Sequence, residues 1–167
     1  MTNTTTTDLV CPLWRRLIAL LYDVVAVLAI VMTVGLVCQL ATGGQLITIT
    51  GAQVHIAWWY RPLQAVVVTA YFVLSWLRGG QTLGMRPWRT RVTTREGARL
   101  SLWQAVLRAA AAAVPVLLLL LAPVLGLRTA LWCVLGLWVI WFATGLVDSR
   151  RRPIHDLIAG TEIRRIG

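Results

Sequence analysis

Four apolar runs, separated by polar segments crowded with arginine, give this chain its pattern: residues 14–40, 60–77, 102–125 and 129–147. Each can cross a bilayer, because roughly 20 residues at ~1.5 Å apiece span a ~30 Å hydrocarbon core. The expected fold is an all-α membrane protein with four transmembrane helices. Residues 1–13, rich in threonine, read as a disordered tail, and residues 14–167 as one transmembrane domain ending in a polar segment, 148–167. The first run is too long for the apolar stretch of a cleavable signal peptide, so the first helix is expected to stay in the mature protein.

Local signals place the boundaries. Pro12 suits the first turn of a helix, and Ala41-Thr42-Gly43-Gly44 ends it. Residues 45–56 alternate around Thr50-Gly51, which predicts a short hairpin or an extended cap outside the membrane. Trp58-Trp59-Tyr60 forms an aromatic belt ahead of the second helix. Ser101 and Gln104 fit a capping box at the start of the third helix, and Pro115 predicts a kink within it. Gly126-Leu127-Arg128 makes a tight turn into the fourth.

Composition agrees with the pattern. The chain is 58% hydrophobic and 13% charged, with mean hydropathy +0.74, whereas soluble domains carry about 25% charged residues. A net charge of +10 would suit nucleic acid, but the basic residues are all arginine and flank the apolar runs, as a bilayer requires; nucleic acid is not an expected partner. With four spans, fourteen of the sixteen arginines share the side of both termini, leaving Arg61 and Arg128 opposite. That excess assigns the termini to the cytoplasm. It leaves the hairpin-like loop outside and a basic loop, 78–99, inside. Arg15, Arg78, Arg86, Arg89, Arg91, Arg150, Arg151 and Arg152 are expected to contact anionic lipid head groups. Cys11, Cys38 and Cys133 lack metal-ligand spacing, so no metal or cofactor is expected. Cys38 and Cys133 are read as two inert thiols or a disulfide.

One acid interrupts the first apolar run. Asp23 lies six residues past Leu17, about 9 Å into the run. An ionised carboxylate facing lipid there costs on the order of 2 to 3 kcal/mol or more, so Asp23 is expected to face protein, water or a cation. Arg16 lies two turns away on the same face, too distant for a direct pair but able to line the same groove. Two readings stand: a structural acid with arginine anchors, or a proton or cation carrier.

Two further clusters lie on the cytoplasmic side. Gly79-Gly80-Gln81-Thr82-Leu83-Gly84-Met85-Arg86 follows the second helix, and Pro153-Ile154-His155-Asp156-Leu157-Ile158-Ala159-Gly160-Thr161 follows the fourth. The glycines allow close backbone approach and expose amides able to hold an anion or carboxylate. Gly80, Gln81, Thr82, Gly84, His155, Asp156, Gly160 and Thr161 are therefore candidates for a gate or clasp closing the inner end. Asp156 is expected to accept bonds from the glycine loop or to pair with Arg16 or Arg86. His155-Asp156 could act as a general base, but no nucleophile or metal set accompanies it, and an enzyme is not expected.

Together with Arg15-Arg16 and Asp23, these clusters resemble the RDD family of bacterial integral membrane proteins, named for one arginine and two aspartates. By position the resemblance implies that Arg16 is the arginine and that Asp23 and Asp156 are the aspartates. It implies a bacterial inner-membrane location and transport of a cation, of the sodium/proton exchange type, or of a small solute. Asp23 would then be the carrier, Arg16 would tune it, and Asp156 with Gln81 and Thr82 would form the inner gate. The alternative is a non-catalytic accessory or assembly subunit. Expected partners are the bilayer and its anionic lipids, a monovalent cation or proton, and a second copy or another membrane protein.

Overall fold

A computed structural model describes residues 11–166 except residue 52 and residues 149–151. Helix α1 (Leu13–Ala41) starts behind Pro12, which needs no amide partner there. Gly43 and Gly44 take positive φ and turn the chain back at its end. Strands β1 (Ile47–Thr50) and β2 (Gln53–Ile56) pair antiparallel, Ile49 opposite Val54, so the alternation near Thr50-Gly51 folds as a hairpin. Helix α2 (Tyr60–Gly79) closes on Gly80, whose N–H donates to the Trp76 carbonyl at 2.9 Å.

Strand β3 (Thr90–Thr94) follows, and both halves of the Ser101/Gln104 capping box open α3 (Leu102–Ala113). Pro115 has no N–H to give, and the chain continues as a 3₁₀ segment, Val114–Leu121, before α4 (Ala122–Leu125). Tighter winding is the form the expected kink takes. Gly126 separates α4 from α5 (Leu127–Val147). The last polar segment is not featureless: it forms α6 (Ile154–Ala159) and β4 (Thr161–Arg165), and β4 pairs antiparallel with β3, Val92 opposite Ile163. The protein is mostly helical; the β1–β2 hairpin was expected, and the β3–β4 pair is the departure from the all-α expectation.

Three helical stretches are long and apolar enough to cross a membrane: Leu13–Ala41, Leu102–Leu125 and Leu127–Val147. Between 11% and 22% of their apolar windows is buried, the exposure of surfaces made for lipid. Helix α2 is 20 residues long, but Arg61, Gln64 and Arg78 make it more polar than these three. The packed core lies at one end, where Trp76 of α2, Val92 of β3, Ala105 of α3 and Ile163 of β4 meet Ala19 of α1. Residues 1–10 of the expected tail lie outside the described residues. Cys11 is fully buried against this core, its N–H donating to the Ile163 carbonyl at 3.3 Å.

Candidate functional site

Two buried carboxylates organise the core end of the bundle, and they are compensated in opposite ways. Asp23, on α1, is 3% exposed. Its partners come from α2 and the loop behind it: the Thr82 hydroxyl donates to Oδ2 at 2.5 Å, and the Gly84 N–H and the Tyr71 hydroxyl donate to Oδ1 at 2.9 and 3.0 Å. The Leu83 N–H in turn donates to the Tyr71 oxygen at 3.1 Å. Three neutral donors surround this acid, and among the described residues no cation pairs with it. Hydrogen bonds of this kind stabilise a carboxylate without cancelling its charge.

The local sequence explains how the loop reaches so far. A Cβ at Gly84 would run into the Ala19 carbonyl oxygen and lie 2.8 Å from the Asp23 backbone nitrogen. Only a residue without a side chain brings its amide against α1 here. Ala19, one turn before Asp23, is the small residue that receives it, at 2% exposure. At Gly80 a positive φ of 69° ends α2, and a Cβ would meet the Val92 carbonyl oxygen at 2.8 Å. Gln81 donates to the Thr90 carbonyl at 2.8 Å, anchoring the loop to β3.

Asp156, on α6, is completely buried. Arg16 donates to its Oδ2 at 3.3 Å, and Arg108 of α3 donates to Oδ1. Arg108 also donates to the Thr161 hydroxyl at 2.9 Å, and its guanidinium lies over the Trp76 ring, 4.9 Å from the centroid. Arg16 donates further to the carbonyls of Cys11 and Ile163, both at 3.2 Å. One acid thus ties α1, α3, α6 and β4 together. His155 places Nε2 3.7 Å from Asp156 Oδ1, with the Phe142 ring against its other side. Burial pushes its pKa down to about 4; Asp156 opposes that shift, and Arg108 and Arg16 reinforce it. His155 is therefore neutral at pH 7, and among the described residues Asp156 faces two guanidiniums, Arg16 and Arg108. Cys11, lying beside Arg16, has its thiol pKa raised by burial.

The grouping differs in part from the expected one. The glycine loop holds Asp23 and not Asp156, so Gln81 and Thr82 belong to a different centre from His155 and Asp156. Of the expected partners of Asp156, Arg16 pairs with it and Arg86 does not, and Arg108 joins as a second. Gly160 closes α6 in the left-handed conformation and Thr161 starts β4. Of the arginines expected at head groups, Arg15 lies over the Trp14 ring at 5.1 Å, and Arg78, Arg86, Arg89 and Arg91 are exposed. Arg152 folds back on Asp148, its Nε 2.9 Å from the carboxylate. Arg150 and Arg151 lie outside the described residues. Cys11, Cys38 and Cys133 are free thiols, and no cluster of metal-ligating side chains occurs among the described residues.

Arg108 and Tyr71 were not among the residues singled out from sequence. Arg108 is a charge six residues into the run Leu102–Leu125, the same anomaly that marks Asp23, and that rule applied to α3 would have found it. Tyr71 sits in α2 with no comparable mark.

The model of the RDD family matches residues 10–160. No curated protein and no solved structure matches the chain.

Proposed function

The chain belongs to the RDD family, and from that premise we propose that it moves a monovalent cation, proton-coupled, with Asp23 as the exchanging group. The frame of the proposal is a bacterial inner-membrane protein with α2 as the fourth span and both termini cytoplasmic. The fourteen-to-two division of arginines supports that orientation.

The observation that carries the reading is the unequal treatment of the two acids. Asp156 faces two guanidiniums and is fixed as their counter-ion. Asp23 faces only hydroxyls and an amide. A carboxylate neutralised by arginine has little to gain from a proton or a sodium ion, whereas one held by neutral donors retains its charge for exchange. Withdrawal of Thr82 and Gly84 would leave the acid to protonate or bind a cation, and their return would displace the ion. In this reading the loop 79–84 is the cytoplasmic gate, and the Asp156 cluster is the fixed clasp against which it moves.

The test is flux into proteoliposomes loaded with a pH-sensitive dye, on addition of sodium, lithium or potassium. The expected result is a cation-dependent proton signal that disappears in Asp23→Asn while insertion and folding persist. Signal surviving in the variant removes Asp23 from the path. Silence from folded wild-type protein rejects transport and leaves the accessory-subunit reading, to be pursued by copurification of a partner in mild detergent.

A further inference from the structure

Beside the Asp23 centre is a cavity of about 380 Å³ between the end of α2 and the loop that follows. Its polar lining consists of Arg78, Arg86, Gln81, Ser75 and Tyr71, with no acid among the lining residues. Both arginines are exposed, and no acid among the described residues pairs with either. Leu74 and Leu83 complete the wall and are about half exposed, 46% and 52%.

We infer that this cavity is a binding site for a phosphate group, held between Arg78 and Arg86. Two guanidiniums lining one concavity match the charge and the planar, two-pronged hydrogen bonding that phosphate oxygens accept. Ser75 adds a hydroxyl donor. Two exposed leucines beside the arginines give the site the mixed edge of a membrane interface, where a head group and the start of an acyl chain lie side by side. A phospholipid head group and free phosphate share this chemistry, and the cavity volume admits either.

The site does more than retain a ligand, because of where its two arginines stand in the chain. Arg78 is in the last turn of α2, and Arg86 is eight residues on. Between them lie Thr82 and Gly84, the residues that grip Asp23. The amides of Gly80, Leu83, Gly84 and Met85 are each bonded in this closed loop, to Trp76, Tyr71, Asp23 and Thr82 respectively. One anion bridging Arg78 and Arg86 ties together the ends of the segment and holds it shut on the acid. Removing the anion leaves two like charges facing one cavity and favours opening. The site stands independently of transport, since binding and loop closure are read without any flux.

The test is amide hydrogen exchange of residues 79–86 in the full chain in dodecyl maltoside micelles, which carry no phosphate. One arm adds phosphatidylglycerol to the micelles, the other adds inorganic phosphate to the buffer. Two charge-assisted contacts imply protection raised about tenfold or more at saturation. Arg78→Gln/Arg86→Gln is expected to abolish the response, and Arg99→Gln, which lies outside the cavity, to retain it; both variants are checked for folding by gel filtration and circular dichroism. Protection by the lipid alone assigns a head group, and protection by phosphate as well assigns the phosphate itself. No change in folded wild type with either probe, or an equal response in the double variant, overturns the assignment.

Discussion

Asp156→Asn should be the most damaging single substitution at the inner end of this bundle, and Arg108→Met should be much milder. The wild-type cluster holds Arg16, Arg108 and Asp156 at 4% exposure or less, with a neutral His155 beside them. The formal charge of these four side chains together is +1. Removing the acid leaves two buried guanidiniums and raises that to +2; removing Arg108 leaves the Arg16–Asp156 pair and lowers it to zero. Breaking a buried pair by deleting one partner costs about 3–5 kcal/mol, because the surviving charge stays desolvated. Here the deleted acid is shared by two cations, so the upper part of that range applies. Arg108→Met keeps most of the volume beside Trp76 and forfeits the bonds to Asp156 and Thr161, a loss of about 1–3 kcal/mol that relief of Arg108's own desolvation offsets in part. The double variant should recover some of the stability lost in Asp156→Asn, since it restores the charge of +1. Reversible unfolding in mixed micelles, followed by circular dichroism, measures all four proteins. An Arg108→Met protein less stable than Asp156→Asn would refute the charge accounting.

Gly84→Ala should loosen the loop at Asp23, because the new methyl meets the Ala19 carbonyl and the α1 backbone rather than a movable side chain; overpacking of this kind costs about 1–3 kcal/mol, and raised amide exchange at residues 82–85 is the readout. Stability should fall as pH drops from about 6.5 to about 4. The His155 pKa is lowered to about 4 in the fold, so over this window the unfolded chain binds a proton that the folded one refuses. Full conversion is worth up to roughly 3 kcal/mol. His155→Gln should flatten that part of the pH profile, and a profile identical to wild type would sink the assignment. Cysteines introduced at Thr48 and at Glu96, both exposed, into a cysteine-free background should label from opposite sides of the membrane, Thr48 from outside and Glu96 only after permeabilisation; labelling from one side rejects α2 as a span.

The sequence was most informative where a one-dimensional rule governs. Apolar run length located α1, α3 with its continuation, and α5, because backbone in lipid must satisfy its own hydrogen bonds and helices do so locally. The hairpin β1–β2 was readable from alternation around a turn only five residues from each end of the segment 45–56. What stayed hidden was pairing between distant segments. Strands β3 and β4 are about seventy residues apart, and nothing in Thr90–Thr94 or Thr161–Arg165 alone says that they join. The same limit explains why the glycine loop was assigned to Asp156 when it closes on Asp23. Arg16 and Asp23 share a helical face, so spacing suggested one groove, but the Gly84 loop fills the stretch between them at Ala19 and divides the face into two centres.

That division has a mechanical meaning. Thr82 and Gly84 grip Asp23 through a loop whose other contacts run to β3, by way of Gln81 and the Gly80 carbonyl, which accepts from the Val92 N–H at 2.7 Å. Strand β3 is in turn zipped to β4, which begins at Thr161 beside Asp156. The Asp156 cluster therefore sets the position of the sheet, and the sheet sets the position of the loop. A clasp compensated by two arginines is insensitive to small changes around it, because every disturbance must separate buried opposite charges. An acid held by a hydroxyl, a phenol and one amide is poised differently, since each donor finds an equal partner in water once the loop lifts. Lifting the loop from Asp23 is therefore expected to be easier than opening the Asp156 cluster, and motion at the inner end should be concentrated in residues 79–86.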